Sequence, residues 1–260
     1  MKGIILAGGQ GTRLLPLTKI YNKHILPVFN KPMIYYPISL LMLVGIRDFL
    51  IITNKKDIDI FKRVLGTGQK FGIKIQYKHQ PKPEGISQGF YLAKKFISNS
   101  KKNIFILGDN FFYGESLSQI IFKELLKNEN SVFLYKVKNP WDFGNVKIKN
   151  NKIMGFEEKS KKINNGLAVT GLYIFNKISI KDFDKIKKSK RGEYEITDFL
   201  EILNKKKLNF CTLGRGITWL DMGTFENLSE TSNFIKLIQE RQGYEIGDLK
   251  EIAKNKKWTL

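Results

Sequence analysis

The residues from Gly8 to Arg13 have the chemistry needed to hold a phosphate group. An apolar run at 3–7 leads into glycines at positions 8, 9 and 11, followed by Thr12 and Arg13. Glycine has no Cβ, so the backbone can turn sharply and bring its N–H groups close to a bound anion. The Arg13 guanidinium adds a planar set of donors that suits phosphate oxygens. The segment predicts a phosphate-binding loop, although a simple strand-to-loop turn would use the same glycines.

The loop matches neither of the two common nucleotide-binding glycine motifs. No Gly-Lys-Ser/Thr follows at the spacing of a Walker A loop. Leu14 stands where the dinucleotide fingerprint Gly-x-Gly-x-x-Gly needs its third glycine. A phosphate bound here must therefore be held by a different arrangement.

Two aspartates follow apolar runs that we interpret as strands. Asp109 comes after the run 104–107 and Gly108, and Asp221 follows Trp219 in another such run. The end of a central strand is the ligand edge of an α/β sheet, and Mg²⁺ prefers hard oxygen ligands. If the fold brings them together, the two carboxylates would share one divalent cation. Otherwise Asp109 caps a turn and Asp221 faces solvent.

Three more charged residues are weaker candidates. Lys23 follows the glycine loop, and Glu158 and Lys159 leave a predicted strand together. A ligand that carries hydroxyls and a phosphate would need both a carboxylate and a cation. An exposed charged turn explains the Glu158–Lys159 pair equally well.

The pattern of the chain predicts the α/β class. In the first half, strands at 3–7, 49–53, 74–78 and 103–107 alternate with helices at 33–44, 58–65, 87–97 and 117–126. This alternation predicts a mostly parallel sheet flanked by helices.

The second half is richer in strands. They are expected at 131–137, 146–149, 152–157, 167–175, 209–213 and 217–221, with helices at 178–187 and 195–204 and a long helix from Thr224 to 242. The expected domain is single, with a core at 1–130, a β-rich part at 131–223 and C-terminal helices at 224–260.

Composition narrows the function classes. The 260 residues are 42% hydrophobic, which supports a buried core, and no apolar run reaches the roughly 20 residues that cross a membrane. The N-terminal apolar residues are better explained as the first strand than as a signal peptide. The single cysteine, Cys211, forms no intrachain disulfide and fits a reducing cytoplasm.

The net charge of +21 raises the possibility of nucleic-acid binding. Only six of the 45 basic residues are arginines, and the lysines are scattered rather than gathered in one arm. A basic balance alone is weak evidence for nucleic acid. We expect a milder consequence, a general attraction for anionic substrates.

Together these motifs resemble the sugar-1-phosphate nucleotidyltransferases. The resemblance runs through nearly the whole chain in the blocks GGQGTRLLPLT, LPVFNKPMIYYPISLLMLVGIRD, QYKHQPKPEGISQ, LGDNFFYG, FEEKS, AVTGLYIF, RGEYEITD and GRGITWLDMGT. It implies a Rossmann-like sheet with a β-rich sugar-binding insertion and a helical C-terminus. It also implies transfer of a nucleotidyl group from dTTP to glucose 1-phosphate, giving dTDP-glucose and pyrophosphate with Mg²⁺, and a homo-oligomer, typically a tetramer.

The resemblance also implies roles for individual residues. Nucleotide binding falls to Gly8, Gly9, Gly11, Thr12, Arg13, Lys23, Gln80 and Gly85. Sugar-phosphate binding falls to Asp109, Gly144, Glu158, Lys159 and Val169. Asp109 and Asp221 would hold Mg²⁺, and the catalytic group would be Arg13, Lys23, Asp109, Lys159 and Asp221.

Several positions depart from the family pattern near the expected substrates. They are Asn22 for Ser, His24 for Gln, Asn145 for Val, Ser160 for Pro and Met222 for Thr. These departures leave open the same chemistry with UTP or with another sugar 1-phosphate. A catalytically silent nucleotide-binding subunit and a basic RNA-binding protein are the alternatives from other classes.

Overall fold

The computed structural model describes residues 1–82, 84–160, 166–176, 179–190 and 192–258. Its strands are β1 (Lys2–Ala7), β2 (Pro27–Val28), β3 (Lys31–Pro32), β4 (Asp48–Asn54), β5 (Lys74–Gln80), β6 (Lys102–Leu107), β7 (Asn110–Gly114), β8 (Asn130–Lys136), β9 (Gly144–Lys149), β10 (Lys152–Glu158), β11 (Leu167–Asn176), β12 (Leu208–Thr212) and β13 (Ile217–Asp221). Its α-helices are α1 (Tyr35–Val44), α2 (Ile58–Leu65), α3 (Ile86–Leu92), α4 (Leu117–Leu126), α5 (Ile196–Asn204), α6 (Phe225–Gln242) and α7 (Leu249–Asn255).

The described residues form two compact units. The glycine-loop unit is built from the described residues of 2–83, 106–119 and 217–260, and the hairpin unit from Met1 and those of 84–105 and 120–216. The sequence led us to expect consecutive parts at 1–130, 131–223 and 224–260. The two units are interleaved along the sequence, because the chain passes from one to the other more than once. The expected division into three consecutive parts stays a prediction.

The glycine-loop unit contains the predicted parallel sheet. β1 pairs with β4 and β4 pairs with β5, all in parallel. Ala7 lies opposite Thr53, and Asn54 lies opposite Gln80, so the carboxyl ends of the three strands are aligned. The residues that follow these strands therefore share one edge of the sheet, where α/β proteins bind their ligands. The predicted α/β class is confirmed.

The helices of this unit begin and end where local chemistry favours it. α1 is mostly buried and ends at Gly45, whose φ of 100° is the left-handed conformation that glycine adopts readily. α6 begins at the predicted Thr224, whose side-chain oxygen accepts a hydrogen bond from the Asn227 N–H at 3.2 Å.

The pairing of β7 with β13 was not predicted. β7 begins only three residues after β6 ends, and its antiparallel partner lies about a hundred positions further along the chain. Local pattern cannot reveal such a partner. The pair contributes to a core with α1 and α6 that contains Val28, Met33, Tyr36, Phe111, Met222, Ile235 and Ile246.

The hairpin unit has a mixed sheet. β9 and β10 form an antiparallel hairpin, and Asn150 and Asn151 both have positive φ, as the predicted hairpin turn requires. β11 pairs antiparallel with β8 and β9, and β12 pairs parallel with β8. Aromatic rings fill the core, with Phe90 only 4.7 Å from Phe105 between ring centroids.

One predicted helix of this unit differs from the observed structure. Residue 178, where the expected helix 178–187 begins, lies outside the described residues, and the observed element is a 3-10 helix over Ser179–Lys185. α3 ends at Leu92, five residues before the predicted end, because turns follow it.

No helix in the described parts of the chain combines the length and the apolar character needed to cross a bilayer. Among these helices α6 is the longest at 18 residues, and it carries charged residues along its whole length.

Candidate active site

The glycine loop leaves β1 and turns twice. Gly9 and Gly11 have φ angles of 96° and 63°. Left-handed backbone of this kind destabilises a residue with a Cβ by about 1–2 kcal/mol, so glycine is favoured at both turns. A Cβ on Gly8 would overlap Oε1 of Gln80. The Gln80 side chain therefore lies directly against the loop.

Polar side chains that the sequence did not reveal as site residues anchor the loop. Asn54 Nδ2 donates to the Gly9 carbonyl oxygen at 3.1 Å, and Thr53 Oγ1 donates to that of Ala7 at 2.9 Å. The buried Asp57 accepts from Asn54 Nδ2 at 2.9 Å. The only sequence signal was that the apolar strand β4 ends in a polar Thr-Asn pair.

Arg13 lies beside Asp221 at the mouth of the loop. It belongs to a 3-10 helix over Thr12–Leu14 and is exposed. A Cβ on Gly223 would be 2.6 Å from Nη2 of Arg13 and 3.1 Å from Oδ2 of Asp221. The guanidinium therefore occupies the space that a larger residue at 223 would need.

Asp109 is 9% exposed and lies just past β6. One carboxylate oxygen is ion-paired with Lys23 Nζ, and the other accepts from Asn110 Nδ2 at 3.1 Å. Burial by itself would raise the pKa of Asp109, but the Lys23 charge and these hydrogen bonds outweigh it and hold that pKa well below its ordinary value. Asp109 is thus an anion at neutral pH.

The structure brings Asp221 next to Asp109, the first of the two arrangements that the sequence left open. Asp221 is the last residue of β13 and lies opposite Asn110, while the Met222 N–H donates to the Asp109 carbonyl oxygen at 2.8 Å. Burial, and then the nearby charge of Asp109, raise the pKa of Asp221. Asn227 Nδ2 donates to Asp221 Oδ1 at 2.7 Å.

Two neighbouring carboxylates in a mostly buried site repel each other, and a cation between them relieves that repulsion. In the described part of the chain, no group of three or more His, Cys, Asp or Glu side chains is arranged to hold a metal. Two carboxylates with further positions open to water or phosphate are the donor set that Mg²⁺ favours. Asp109 and Asp221 therefore fit a magnesium ion.

His24 is a buried neutral base beside this pair. Burial, followed by the Lys23 charge, lowers the pKa of His24 to about 3. Its Nδ1 lies 2.8 Å from Asn22 Oδ1, which also accepts from the His24 backbone N–H at 3.0 Å. A Cβ on Gly108 would be 2.6 Å from the His24 ring. Two departures from the family pattern, Asn22 and His24, are thus accommodated by bonding to each other.

Gly85, at the start of α3 in the hairpin unit, has a φ of 97°. A Cβ there would be 2.5 Å from the Tyr194 carbonyl oxygen and 2.8 Å from its nitrogen. The Tyr194 N–H donates to the Glu84 carbonyl oxygen at 2.8 Å, so the contact is between two fixed backbones.

We expect Gly85→Ala to lower the free energy of unfolding by about 2–4 kcal/mol. The substitution combines the strain of a positive φ with a clash between the new Cβ and the Tyr194 main chain. Gly192→Ala is the matched control in the same unit, because Gly192 also has positive φ but no other described residue lies within 4 Å of its Cβ position, its chain neighbours aside. Urea unfolding of both variants measures the difference. Equal losses would mean that the Tyr194 contact is unimportant.

The hairpin unit also holds a pocket with a volume of about 800 Å³. Its lining is mixed in charge and includes the predicted Glu158 and Lys159. Sequence reasoning gave no site role to the other lining residues, which are Phe156, Glu157, Ser160, Ser189, Lys190, Glu195, Thr197 and Asp198. Most of them lie in or beside the block RGEYEITD, which carried the family resemblance but no assigned role.

Two other predicted residues of this unit, Gly144 and Val169, lie beside the pocket residue Glu158. A Cβ on Gly144 would be 3.5 Å from Oε2 of Glu158 and 3.8 Å from Cβ of Val169. Thr197 Oγ1 donates to Glu158 Oε2 at 3.4 Å. Carboxylates and lysines together suit a ligand that carries hydroxyls and a phosphate.

The predicted site residues therefore form two sets. The glycine-loop unit holds Gly8, Gly9, Gly11, Thr12, Arg13, Lys23, Gln80, Asp109 and Asp221, and the hairpin unit holds Gly85, Gly144, Glu158, Lys159 and Val169.

Known proteins with similar sequences carry a consistent set of names. Residues 2–237 match the profile of the family described as Nucleotidyl transferase. A glucose-1-phosphate thymidylyltransferase of Neisseria meningitidis is 45% identical over 99% of this chain and 90% of its own length. The enzyme of that name from Mycolicibacterium smegmatis is 43% identical over 97% of this chain and 88% of its own length.

Solved structures share the fold of this chain. A Bacillus anthracis chain, provisionally assigned as a glucose-1-phosphate thymidylyltransferase and solved with sucrose, is 38% identical, with a TM-score of 0.82 over 90% of this chain and 94% of its own. A UDP-glucose pyrophosphorylase solved with UDP-glucose has a TM-score of 0.78 at 22% identity, which shows the shared fold alone.

The fold and these matches define the class: the chain belongs to the nucleotidyl transferase family. Within that family it is similar, over nearly all of its length, to the glucose-1-phosphate thymidylyltransferases. The resemblance first seen in the sequence motifs is confirmed.

Proposed function

We propose that this chain transfers a thymidylyl group from dTTP to glucose 1-phosphate, with Mg²⁺ held by Asp109 and Asp221. The names of its relatives support the substrates. The observation that carries the proposal is the convergence of Asp109, Asp221, Lys23 and Arg13 beside the glycine loop. Carboxylates for a divalent cation beside cations for phosphate are what a nucleoside triphosphate requires.

The proposed chemistry needs no nucleophile from the protein. A phosphate oxygen of glucose 1-phosphate attacks the α-phosphorus of dTTP in line and forms a new P–O bond. The bond from the α-phosphorus to the bridging oxygen breaks, and pyrophosphate leaves with that electron pair. Catalysis rests on alignment and on neutralisation of phosphate charge.

In the glycine-loop unit, the loop N–H groups and the Arg13 guanidinium bind the triphosphate, and Gln80 reads the base. Lys23 places a positive charge beside the phosphates while it pairs with Asp109. Asp109 and Asp221 would hold Mg²⁺, and the bound ion would supply Lewis-acid charge stabilisation.

In the hairpin unit, Lys159 binds the phosphate of glucose 1-phosphate and Glu158 accepts from its hydroxyls. Gly144 leaves room for the sugar because any side chain there would press against Thr197 and Glu158. Val169 completes that face of the pocket.

The chemistry of the bases discriminates only weakly between dTTP and UTP. Thymine and uracil differ by one methyl group, which is worth only about 1–3 kcal/mol in an apolar pocket. UTP or another sugar 1-phosphate is thus the nearest alternative. We further propose that the protein works in the cytoplasm as a homo-oligomer without nucleic acid.

A substrate panel tests the proposal. The protein is incubated with Mg²⁺, each of dTTP, UTP, ATP, CTP and GTP, and each of several sugar 1-phosphates, and pyrophosphate release is followed. We expect the highest kcat/KM with dTTP and glucose 1-phosphate. No release from any combination would support the silent-subunit alternative, and a higher kcat/KM with UTP would change the assigned base.

Gly223→Ala is expected to lower turnover about tenfold with little loss of stability, because the new methyl group displaces side-chain ends rather than backbone. Those ends are the Arg13 guanidinium and the Asp221 carboxylate. Gly216→Ala is the matched control, since no atom lies within 4 Å of its Cβ position. Unchanged kcat in Gly223→Ala would show that the position of Arg13 does not matter.

A further inference from the structure

Asn145 is a polar residue in a wholly buried position on β9. It is 0% exposed and lies opposite Glu157 of β10 and Ala168 of β11. Side chains alternate between the faces of a strand, so Asn145 does not share the face of its neighbour Gly144. Gly144 lies beside the pocket residue Glu158 and beside Val169. Glu157, opposite Asn145, also lines the pocket.

The amide of Asn145 reaches the main chain next to Lys159. Its Nδ2 donates to the Ser160 carbonyl oxygen at 2.7 Å. On the other side, the Lys159 N–H donates to the Phe143 carbonyl oxygen at 3.1 Å. Lys159 is thus held between two hydrogen bonds, and it has a φ of 46°. Few residues other than glycine adopt this conformation without support from their surroundings.

The other half of the amide has no partner among the residues that the structure describes. Within those residues, Asn145 Oδ1 is buried without a hydrogen bond. A buried polar atom left without a bond destabilises the folded state, whereas an apolar side chain of similar size avoids that loss. Asparagine is therefore a poor choice here for stability alone, which points to another role for its Nδ2 group.

We infer that Asn145 is a positioning residue for Lys159. Its bond to the Ser160 carbonyl holds the turn in which Lys159 adopts left-handed backbone and lines the pocket. Two positions that depart from the family pattern, 145 and 160, are thereby linked. The inference rests on the proposed function, in which Lys159 binds the phosphate of glucose 1-phosphate.

Asn145→Val removes the donor and the unpaired oxygen together. We expect KM for glucose 1-phosphate to rise about tenfold, the size expected for loss of one well-placed charged contact. KM for dTTP should stay within about twofold, and the unfolding temperature should be unchanged or higher. If this variant does not fold, Asn145→Ala carries the same expectation for the two KM values.

Asn103→Val is the matched control. Asn103 is also 0% exposed, and its Nδ2 donates to the Phe175 carbonyl oxygen at 3.4 Å. Its Oδ1 also lacks a partner within the described part of the chain. It does not line the pocket. A purely structural role for both amides predicts the same kinetics in the two variants, whereas positioning predicts that only Asn145→Val changes KM for glucose 1-phosphate.

Lys159→Ala, measured alongside the two asparagine variants, distinguishes failure of the positioning role from failure of the role proposed for Lys159. If it raises KM for glucose 1-phosphate and Asn145→Val does not, the positioning role is wrong and the pocket assignment stands. If Lys159→Ala leaves that KM unchanged, the assignment of Lys159 is wrong and the inference is overturned with it. A parallel rise in KM for dTTP in Asn145→Val would also overturn the inference.

Discussion

Asp109→Asn is expected to reduce turnover on the order of a thousandfold while the protein still folds, because it removes a metal-binding charge and little packing. Asparagine has nearly the same shape, so the backbone bond from Met222 to residue 109 is retained. Lys23 would lose its ion-pair partner. It keeps a carboxylate nearby, since its charge also acts on Asp221. Pyrophosphate release and thermal unfolding, measured on one preparation, give the two effects.

Asp182→Asn is the control for loss of a buried aspartate. Asp182 is 4% exposed and pairs with Lys185 at 2.7 Å and Lys206 at 2.8 Å, all within the hairpin unit. It has no part in the proposed chemistry, so its variant should lose stability and keep its kcat. If Asp109→Asn kept more than a tenth of the parent's kcat, the metal-binding role of Asp109 would be excluded.

Arg13→Ala is expected to reduce kcat/KM for dTTP by about a hundredfold or more, the usual effect of losing one charged group that stabilises the transition state. Arg13 is exposed, so the unfolding temperature should hardly change. Arg13→Lys keeps the charge and loses the planar fork of donors, and it should recover only part of the lost rate.

A full recovery in Arg13→Lys would mean that charge alone matters. A kcat/KM in Arg13→Ala equal to that of the parent would contradict the assignment of Arg13 to the triphosphate. Arg215→Ala is a suitable comparison. Unlike Arg13, Arg215 belongs to the hairpin unit, and it is not among the residues assigned to the nucleotide.

Local sequence signals predicted most of the fold where one chain segment decides its own conformation. The parallel strands β1, β4 and β5 are apolar runs separated by helical patterns, and their order follows from the chain. Gly45 and Thr224 end and begin helices through their own backbone and side-chain chemistry. These features need no knowledge of distant residues.

Features that depend on distant partners were missed. β7 was overlooked because its partner β13 is remote in sequence. The anchoring of the glycine loop by Asn54 and Asp57 depends on where β4 ends in space.

The candidate site shows the same division. Strand ends and glycine turns mark Asp109, Asp221 and Arg13 in the sequence as candidates. The hydrogen bond from Asn145 to the Ser160 carbonyl oxygen could not be predicted, because each residue by itself looks like an ordinary substitution. Such a pair is visible only when the hydrogen bond between them is seen.

Binding of Mn²⁺ in place of Mg²⁺, followed by electron paramagnetic resonance in the presence of dTDP-glucose, tests most directly whether Asp109 and Asp221 share one cation. We predict one bound ion per chain, with an affinity at least about tenfold weaker in Asp109→Asn and in Asp221→Asn alike. Equal Mn²⁺ affinity in the parent and both variants would contradict the shared site.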